Sequence, residues 1–141
     1  TNLEKIPFSI CPMTLQEMDE KGDLWFFTGR NSDHFKNIEN DNRVQLIVSE
    51  TDDHTYISLY GNAVHIVDDE KVEQLWNPML QAWFNGKNDS NLALLNVNVE
   101  SAFYWDNDQN KLVSLYQMVK AMTTEEKAEL GKKGHINLQN H

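Results

Sequence analysis

The sequence predicts a mainly β domain, a small antiparallel barrel with accessory helices. Stretches of β-branched and aromatic residues recur along the chain, separated by turn residues. Two helical patterns interrupt them, a short one opening at Ser32 and a longer one with an apolar face. Strands joined in this way leave open edges, and curling the sheet into a barrel removes them.

Residues 6–15 read as the first strand. Ile6, Phe8 and Ile10 alternate with smaller residues, while Pro7 and Pro12 mark an edge or irregular strand. A polar turn runs from Glu17 into Lys21-Gly22-Asp23. Leu24-Trp25-Phe26-Phe27-Thr28 then returns as a buried strand, which completes a hairpin. Residues 32–40 form a short helix with Ser32 as N-cap. In the strand at 43–49, Val44, Leu46 and Val48 alternate against Gln45 and Ser49, and Ile47 breaks the pattern. Thr51-Asp52-Asp53-His54 is a turn into a long strand at 55–67, where Gly61 marks a bulge or a close approach.

Asp68 or Asp69 caps the clearest helix. Val72, Leu75, Trp76, Met79, Leu80 and Trp83 recur on one face, and Pro78 divides the pattern near Trp76-Asn77. Read from this face alone, Trp76 and Trp83 are core residues. A polar loop at 85–91 leads into strands at 92–99 and 102–106. Residues 111–119 fit either a strand or a helix, and the remainder reads as a helical turn and a loose tail. The expected division is a domain over 1–120 and a tail over 121–141. The opening residues run almost directly into strand-like sequence, which predicts a further helix and strand ahead of Thr1.

A chain of 141 residues, 40% hydrophobic, is long enough for one domain with one sizeable core. A net charge of −10 argues against a sequence-independent nucleic-acid binder and against attachment to anionic membranes. Cys11 is the sole cysteine, so no internal disulfide forms, which fits a reducing compartment such as the cytoplasm. No apolar run approaches membrane-spanning length and no signal sequence opens the chain. The five histidines, His34, His54, His65, His135 and His141, lack paired helical spacing, so no metal site is expected. Asp52-Asp53 and Asp68-Asp69-Glu70 mark a turn and a helix start rather than an acid–base pair.

One stretch points to chemistry. The strand ending at Thr28 leads directly into the helix opening at Ser32. A helix start leaves N–H groups unpartnered and carries partial positive charge, so it suits a phosphate. An ordinary strand–turn–helix with a capping serine is the plainer reading of the same residues. Cys11 lies between Ile10 and Pro12, neither of which would lower a thiol pKa, so it reads as a small strand residue.

Cys11-Pro12-Met13, the Leu24-to-Thr28 strand, Ser32 and Tyr56-Ile57-Ser58-Leu59-Tyr60-Gly61-Asn62-Ala63 occur in a telling order. Leu75-Trp76, Ala82-Trp83-Phe84, Leu94-Leu95 and Tyr104-Trp105-Asp106 continue it. With this ordered set the chain resembles the general stress proteins of the pyridoxamine 5'-phosphate oxidase-like superfamily, which are flavin-binding split β-barrels. The resemblance spans roughly residues 9–106. It implies an antiparallel split barrel with FMN at a homodimer interface and two equivalent sites. Ser9, Ile10, Cys11, Pro12, Met13 and Thr14 would run along the flavin edge. Thr28, Ser32 and the helix start would hold the phosphate, with Lys36 close by and His34 either a phosphate ligand or an exposed first-turn residue. Phe27 would also contact the cofactor, and Trp83 with Phe84 would cover the ring or brace the interface. Tyr56 or Ser58 would reach the flavin from the partner chain, with core or surface placement in the long strand the equal alternative.

Two departures from the family pattern stand out. Relatives often carry Arg at the position of Cys11 and Lys at that of His34, and here Arg30 and Lys36 are the nearby substitutes. Flavin binding is therefore expected to be weaker or more pH-sensitive, because histidine titrates near neutrality. Only Arg30 and Arg43 are arginines, so the clamp for a substrate phosphate is missing and pyridoxamine phosphate oxidation is not expected. The implied function is an FMN-dependent oxidoreductase using NADH, NADPH or another small-molecule substrate. The alternative is a flavin carrier without turnover in the stress response, and a third reading places a deazaflavin or haem in the same cleft.

Overall fold

The computed structural model describes residues 1–50, 55–105 and 133–137. Its elements are β1 (Leu15–Met18), β2 (Leu24–Gly29), α1 (Asp33–Asn40), β3 (Arg43–Glu50) and β4 (Thr55–Ile66). There follow α2 (Asp69–Leu75), a 3-10 helix (Pro78–Ala82), β5 (Leu92–Trp105) and β6 (Lys133–Asn137). The strands form one antiparallel sheet in the order β1-β2-β5-β4-β3. β2 pairs with β5 along Leu92 to Val97, and β6 pairs with it farther on, from Ser101 to Trp105. The path is open, as in a split barrel, and no helix among the described residues is long and apolar enough to cross a membrane.

The hairpin between β1 and β2 forms as its polar turn predicts. Asp19 Oδ1 accepts from the amides of Lys21 and Asp23, and Gly22 takes a φ of 89°, which suits glycine. The first strand, however, occupies Leu15–Met18 rather than 6–15. Ile6 is 98% exposed and Ile10 81% exposed, so their alternation has no core to face. Pro7 and Pro12 lack the N–H that a ladder needs.

β4 and β5 carry the sheet. Gly61 sits where the register shifts: Tyr60 faces Ser101 and Gly61 faces Val99, so Glu100 is the extra residue of a bulge. A Cβ at Gly61 would lie 2.0 Å from the Asn98 carbonyl oxygen, so the close approach requires glycine. The bulge also explains why the two strands expected at 92–99 and 102–106 are one. The polar pair Glu100-Ser101 interrupts the apolar pattern while the backbone pairing continues.

Two cores lie on opposite faces of the sheet. Leu24, Phe26, Ile38, Val44, Ile57, Leu59, Ala63, Leu95, Val97, Val99 and Ala102 form the first, under α1. Phe27, Leu80, Phe84, Leu92 and Leu94 form the second, with Trp25, Val72, Leu75 and Trp76 packed against it. The Leu24-to-Phe27 alternation feeds both. Asp68 caps α2, accepting from the Lys71 amide, and Pro78 ends that helix and begins the 3-10 turn. The break corrects the single apolar face read from sequence. After Pro78 the chain re-aims, so Leu80 and Phe84 enter the core while Met79 and Trp83 point outward, Trp83 at 80% exposure. Trp83 is thus not a core residue of the protomer.

β6 lies within the segment read as a tail and pairs with β5. The turn at 51–54, Asp106 and the ambiguous segment 111–119 lie outside the described residues.

Candidate functional site

The site forms where β2 hands the chain to α1. Thr28 ends the buried stretch of β2 at 3% exposure, on the same face as Phe26. The turn that follows is tied to the start of β5. The Arg30 amide donates to the Asn91 carbonyl at 2.8 Å, and the Asn31 amide donates to Asn91 Oδ1 at 3.0 Å. Arg30 Nε donates to the Leu92 carbonyl at 3.2 Å. α1 therefore starts from a fixed point on the sheet.

Ser32 is the N-cap: its hydroxyl accepts from the Phe35 amide at 3.2 Å and donates to the Gly29 carbonyl at 2.6 Å. The first-turn amides of an α-helix have no intrahelical acceptor and carry the positive end of the helix dipole. His34 lies across this start. Its Nε2 meets the Thr28 hydroxyl and, at 3.3 Å, the Ser32 oxygen, while its Nδ1 lies 3.4 Å from Cys11 Sγ.

Hydrogen-bond bookkeeping assigns the tautomer. The Ser32 hydroxyl proton is committed to Gly29, so Ser32 can meet His34 only as an acceptor, and with Thr28 also accepting, Nε2 is assigned the ring proton. Nδ1 is then the acceptor, and the Cys11 thiol donates to it. Burial lowers the His34 pKa from its ordinary 6.5, and burial raises that of Cys11, so a neutral imidazole faces a neutral thiol. Cys11 is therefore not an activated thiolate.

A second histidine stands behind the first. His65 stacks on Phe35, with ring centroids 3.7 Å apart and planes at 22°. It shares its β4 face with Ala63, on the α1 side of the sheet. Its Nε2 is buried without a hydrogen-bond partner, and burial lowers its pKa. Glu39 opposes that lowering, while His34 and Arg30 add to it.

Of the residues expected from the sequence, the structure brings Cys11, Thr28, Ser32 and His34 together. Met13 is partly buried against the first core, and Ser9, Ile10, Pro12 and Thr14 are exposed along the segment that carries Cys11. Lys36 is exposed on α1. Phe27 faces the other side of the sheet, edge-on to Trp76 with centroids 6.1 Å apart. Ser58 lies on the outer sheet face, where Gln45 Nε2 donates to its hydroxyl, and Tyr56 is exposed on that same face. Asn91 and His65 were not anticipated. The alternation Ala63-His65 in β4 was the signal that would have placed His65 under α1.

The donors at the α1 start, namely first-turn amides and the Thr28 hydroxyl, with the His34 imidazole beside them, suit an anion of phosphate size. Comparison with known proteins agrees in fold. The family described as pyridoxamine 5'-phosphate oxidase like matches residues 4–129. A structure described as a general stress protein 26, from Jannaschia sp. CCS1, is 26% identical, with a TM-score of 0.66 over 90% of this chain and 82% of that one. A general stress family protein from Xanthomonas campestris pv. campestris is 35% identical, with a TM-score of 0.60 over 69% and 74% of the two chains. The general stress FMN/FAD binding protein of the phytopathogen Xanthomonas citri is 34% identical, with a TM-score of 0.56 over 62% of each chain. Among curated proteins, none matches the chain.

Proposed function

The chain belongs to the pyridoxamine 5'-phosphate oxidase-like family, and from that premise we propose that it is an FMN-binding general stress protein that holds the flavin's phosphate tail at the start of α1. The observation that carries this reading is the convergence of Thr28, the Ser32-capped helix start and His34 on one point beside the Cys11 segment. The neighbour from Xanthomonas citri, an FMN/FAD binding protein, supports a flavin as the ligand.

The residues present fit a phosphate. Thr28 and the α1 amides would donate to its oxygens, and His34, whose ring nitrogens face Thr28, Ser32 and Cys11, would add a charge when protonated. The segment Ser9 to Thr14 would line the polar rim of the ring system. The flavin itself supplies the chemistry, accepting and donating hydride equivalents. The chain's part is to bind, orient and shield it. Neither arginine is disposed as a substrate-phosphate clamp: Arg43 is held by Asp41 at 2.6 Å and Glu4 at 3.0 Å, and Arg30 Nε is engaged with Leu92. This argues against pyridoxamine phosphate as substrate, and we propose another small molecule in its place, with NADH or NADPH as electron donor.

A homodimer completes this reading. Ile47, Tyr56, Phe103 and Trp105 are exposed on the outer face of β3, β4 and β5, where cross-strand pairing aligns Ile47 with Ser58 and Phe103, and Tyr56 with Trp105. An apolar face of this kind suits a second copy. Trp83, exposed at the end of the 3-10 helix, would brace the same assembly.

The second reading is a flavin carrier without turnover, which the same binding residues would serve equally. One experiment separates the two. Flavin-loaded protein mixed with NADH or NADPH without oxygen loses its visible flavin absorbance if it is an oxidoreductase. Retained absorbance with every donor leaves the carrier, and failure to bind FMN at all removes both.

A further inference from the structure

We propose that His34 and His65 form a proton-linked pair that tunes how tightly the α1 start holds a phosphate dianion: protons enter the pair with the phosphate and leave as it leaves. The proposal rests on the flavin reading above and adds the regulation of that same site.

Both imidazoles lie against the first turn of α1. His34 spans the helix start between Thr28, Ser32 and Cys11. His65 stacks on Phe35, the next residue along, and carries a buried Nε2 with no partner. An imidazole placed so gains from a charge brought nearby, because partial burial reduces the water that screens it. His65 is a positioning residue here: it acts through the Phe35 turn and through its neighbour His34.

The charged groups around the pair set the sign. His34 faces Cys11 from the N-terminal segment, Asp33 from its own turn, the amino group of Thr1, and His65 from β4. His65 faces Glu39 and His34 from α1 and Arg30 from the turn. Burial favours the neutral form of both rings, and a charge on His34 opposes one on His65. A phosphate dianion reverses that balance. On protonation His34 Nδ1 gains a hydrogen, so it donates to the Cys11 sulfur instead of accepting from it. Nε2–H stays aimed at the Thr28 and Ser32 oxygens at the site.

Calorimetric titration of the whole chain with FMN, in buffers of unlike ionisation enthalpy, counts the protons taken up. Uptake is expected near neutrality, with affinity rising about tenfold between about pH 8 and about pH 6.5. The phosphate of FMN itself titrates near about pH 6, and the double variant H34Q/H65F isolates that contribution. His34→Gln should remove most of the uptake. His65→Phe, which keeps a ring against Phe35, should remove part of it while leaving FMN bound. Absence of uptake beyond the double variant's, or native uptake in His65→Phe, overturns the pair. FMN that binds without proton uptake sinks this proposal alone, whereas FMN that never binds sinks the flavin reading with it. Should His65→Phe fail to fold, the imidazole resonances of the native chain decide. The His65 titration midpoint should rise on FMN loading, and an unmoved midpoint refutes the proposal.

Discussion

The two α-helices of this fold start in the same way and end up suited to different things. Ser32 caps α1 by accepting from the Phe35 amide at 3.2 Å, and Asp68 caps α2 by accepting from the Lys71 amide at 3.0 Å. Both caps satisfy one orphan donor. The α2 cap is itself an anion, and Asp69 and Glu70 follow it in the first turn. That helix neutralises its own dipole and repels a phosphate. The α1 cap is neutral, a buried Thr28 hydroxyl stands behind it, and His34 lies across it. What separates a capped helix from an anion site is therefore the charge at the cap and first turn, where α1 carries only Asp33, together with the material packed behind it.

Making α1 resemble α2 should break the site. His34→Glu places a carboxylate where the phosphate would sit. Like charges about 4 Å apart at an intermediate dielectric repel by about 4 kcal/mol before screening, so FMN affinity should fall at least about a hundredfold by fluorescence quenching. The same titration of Asp68→Asn should give the native constant.

Removing each cap sharpens the contrast. Ser32→Ala and Asp68→Ala should each cost about 0.5–2 kcal/mol in urea unfolding. Only Ser32→Ala should also weaken FMN, by several-fold, because it frees the turn that places Thr28 and His34. Equal loss of FMN affinity in both would mean that α1 has no special role.

The unliganded chain should show a pH effect of its own. The folded-state pKa values of His34 and His65 lie below the ordinary 6.5. The unfolded chain thus binds protons first as pH falls, and stability drops from 6.5 downward until the folded-state values are passed. Thermal unfolding across that range should show the drop, and H34Q/H65F should flatten it. The smallest effect should come from Lys36→Ala. Lys36 is exposed, so its charge is screened, and FMN affinity should change by less than about threefold.

Much of the fold was legible because its signals are local. The turn chemistry at Asp19 to Asp23, the Ser32 and Asp68 caps, the Pro78 break and the glycine in mid-β4 each act within a few residues. The misplaced first strand shows the limit. Alternation at Ile6, Phe8 and Ile10 is a pattern without a partner, while β1, Leu15–Met18, shows little alternation yet pairs with β2, seats Met18 against the first core and ties Glu17 to Lys71. The exposure of Trp83 was hidden because a helical face was continued through a proline. Within the site, Thr28, Ser32 and His34 are neighbours in sequence and were read from it. The contact of Cys11 with His34 spans 23 residues and leaves no trace in spacing, while for His65 the alternation in β4 gives its face but not its stack on Phe35 across two elements.

The central claim, that the start of α1 grips the phosphate of a flavin, is tested most directly by titrating the same preparation with FMN and with riboflavin, which lacks only the phosphate. The account predicts that FMN binds at least about a hundredfold tighter, the scale of a desolvated phosphate held by several donors, and that His34→Glu erases the difference. Equal affinities for the two flavins would contradict it.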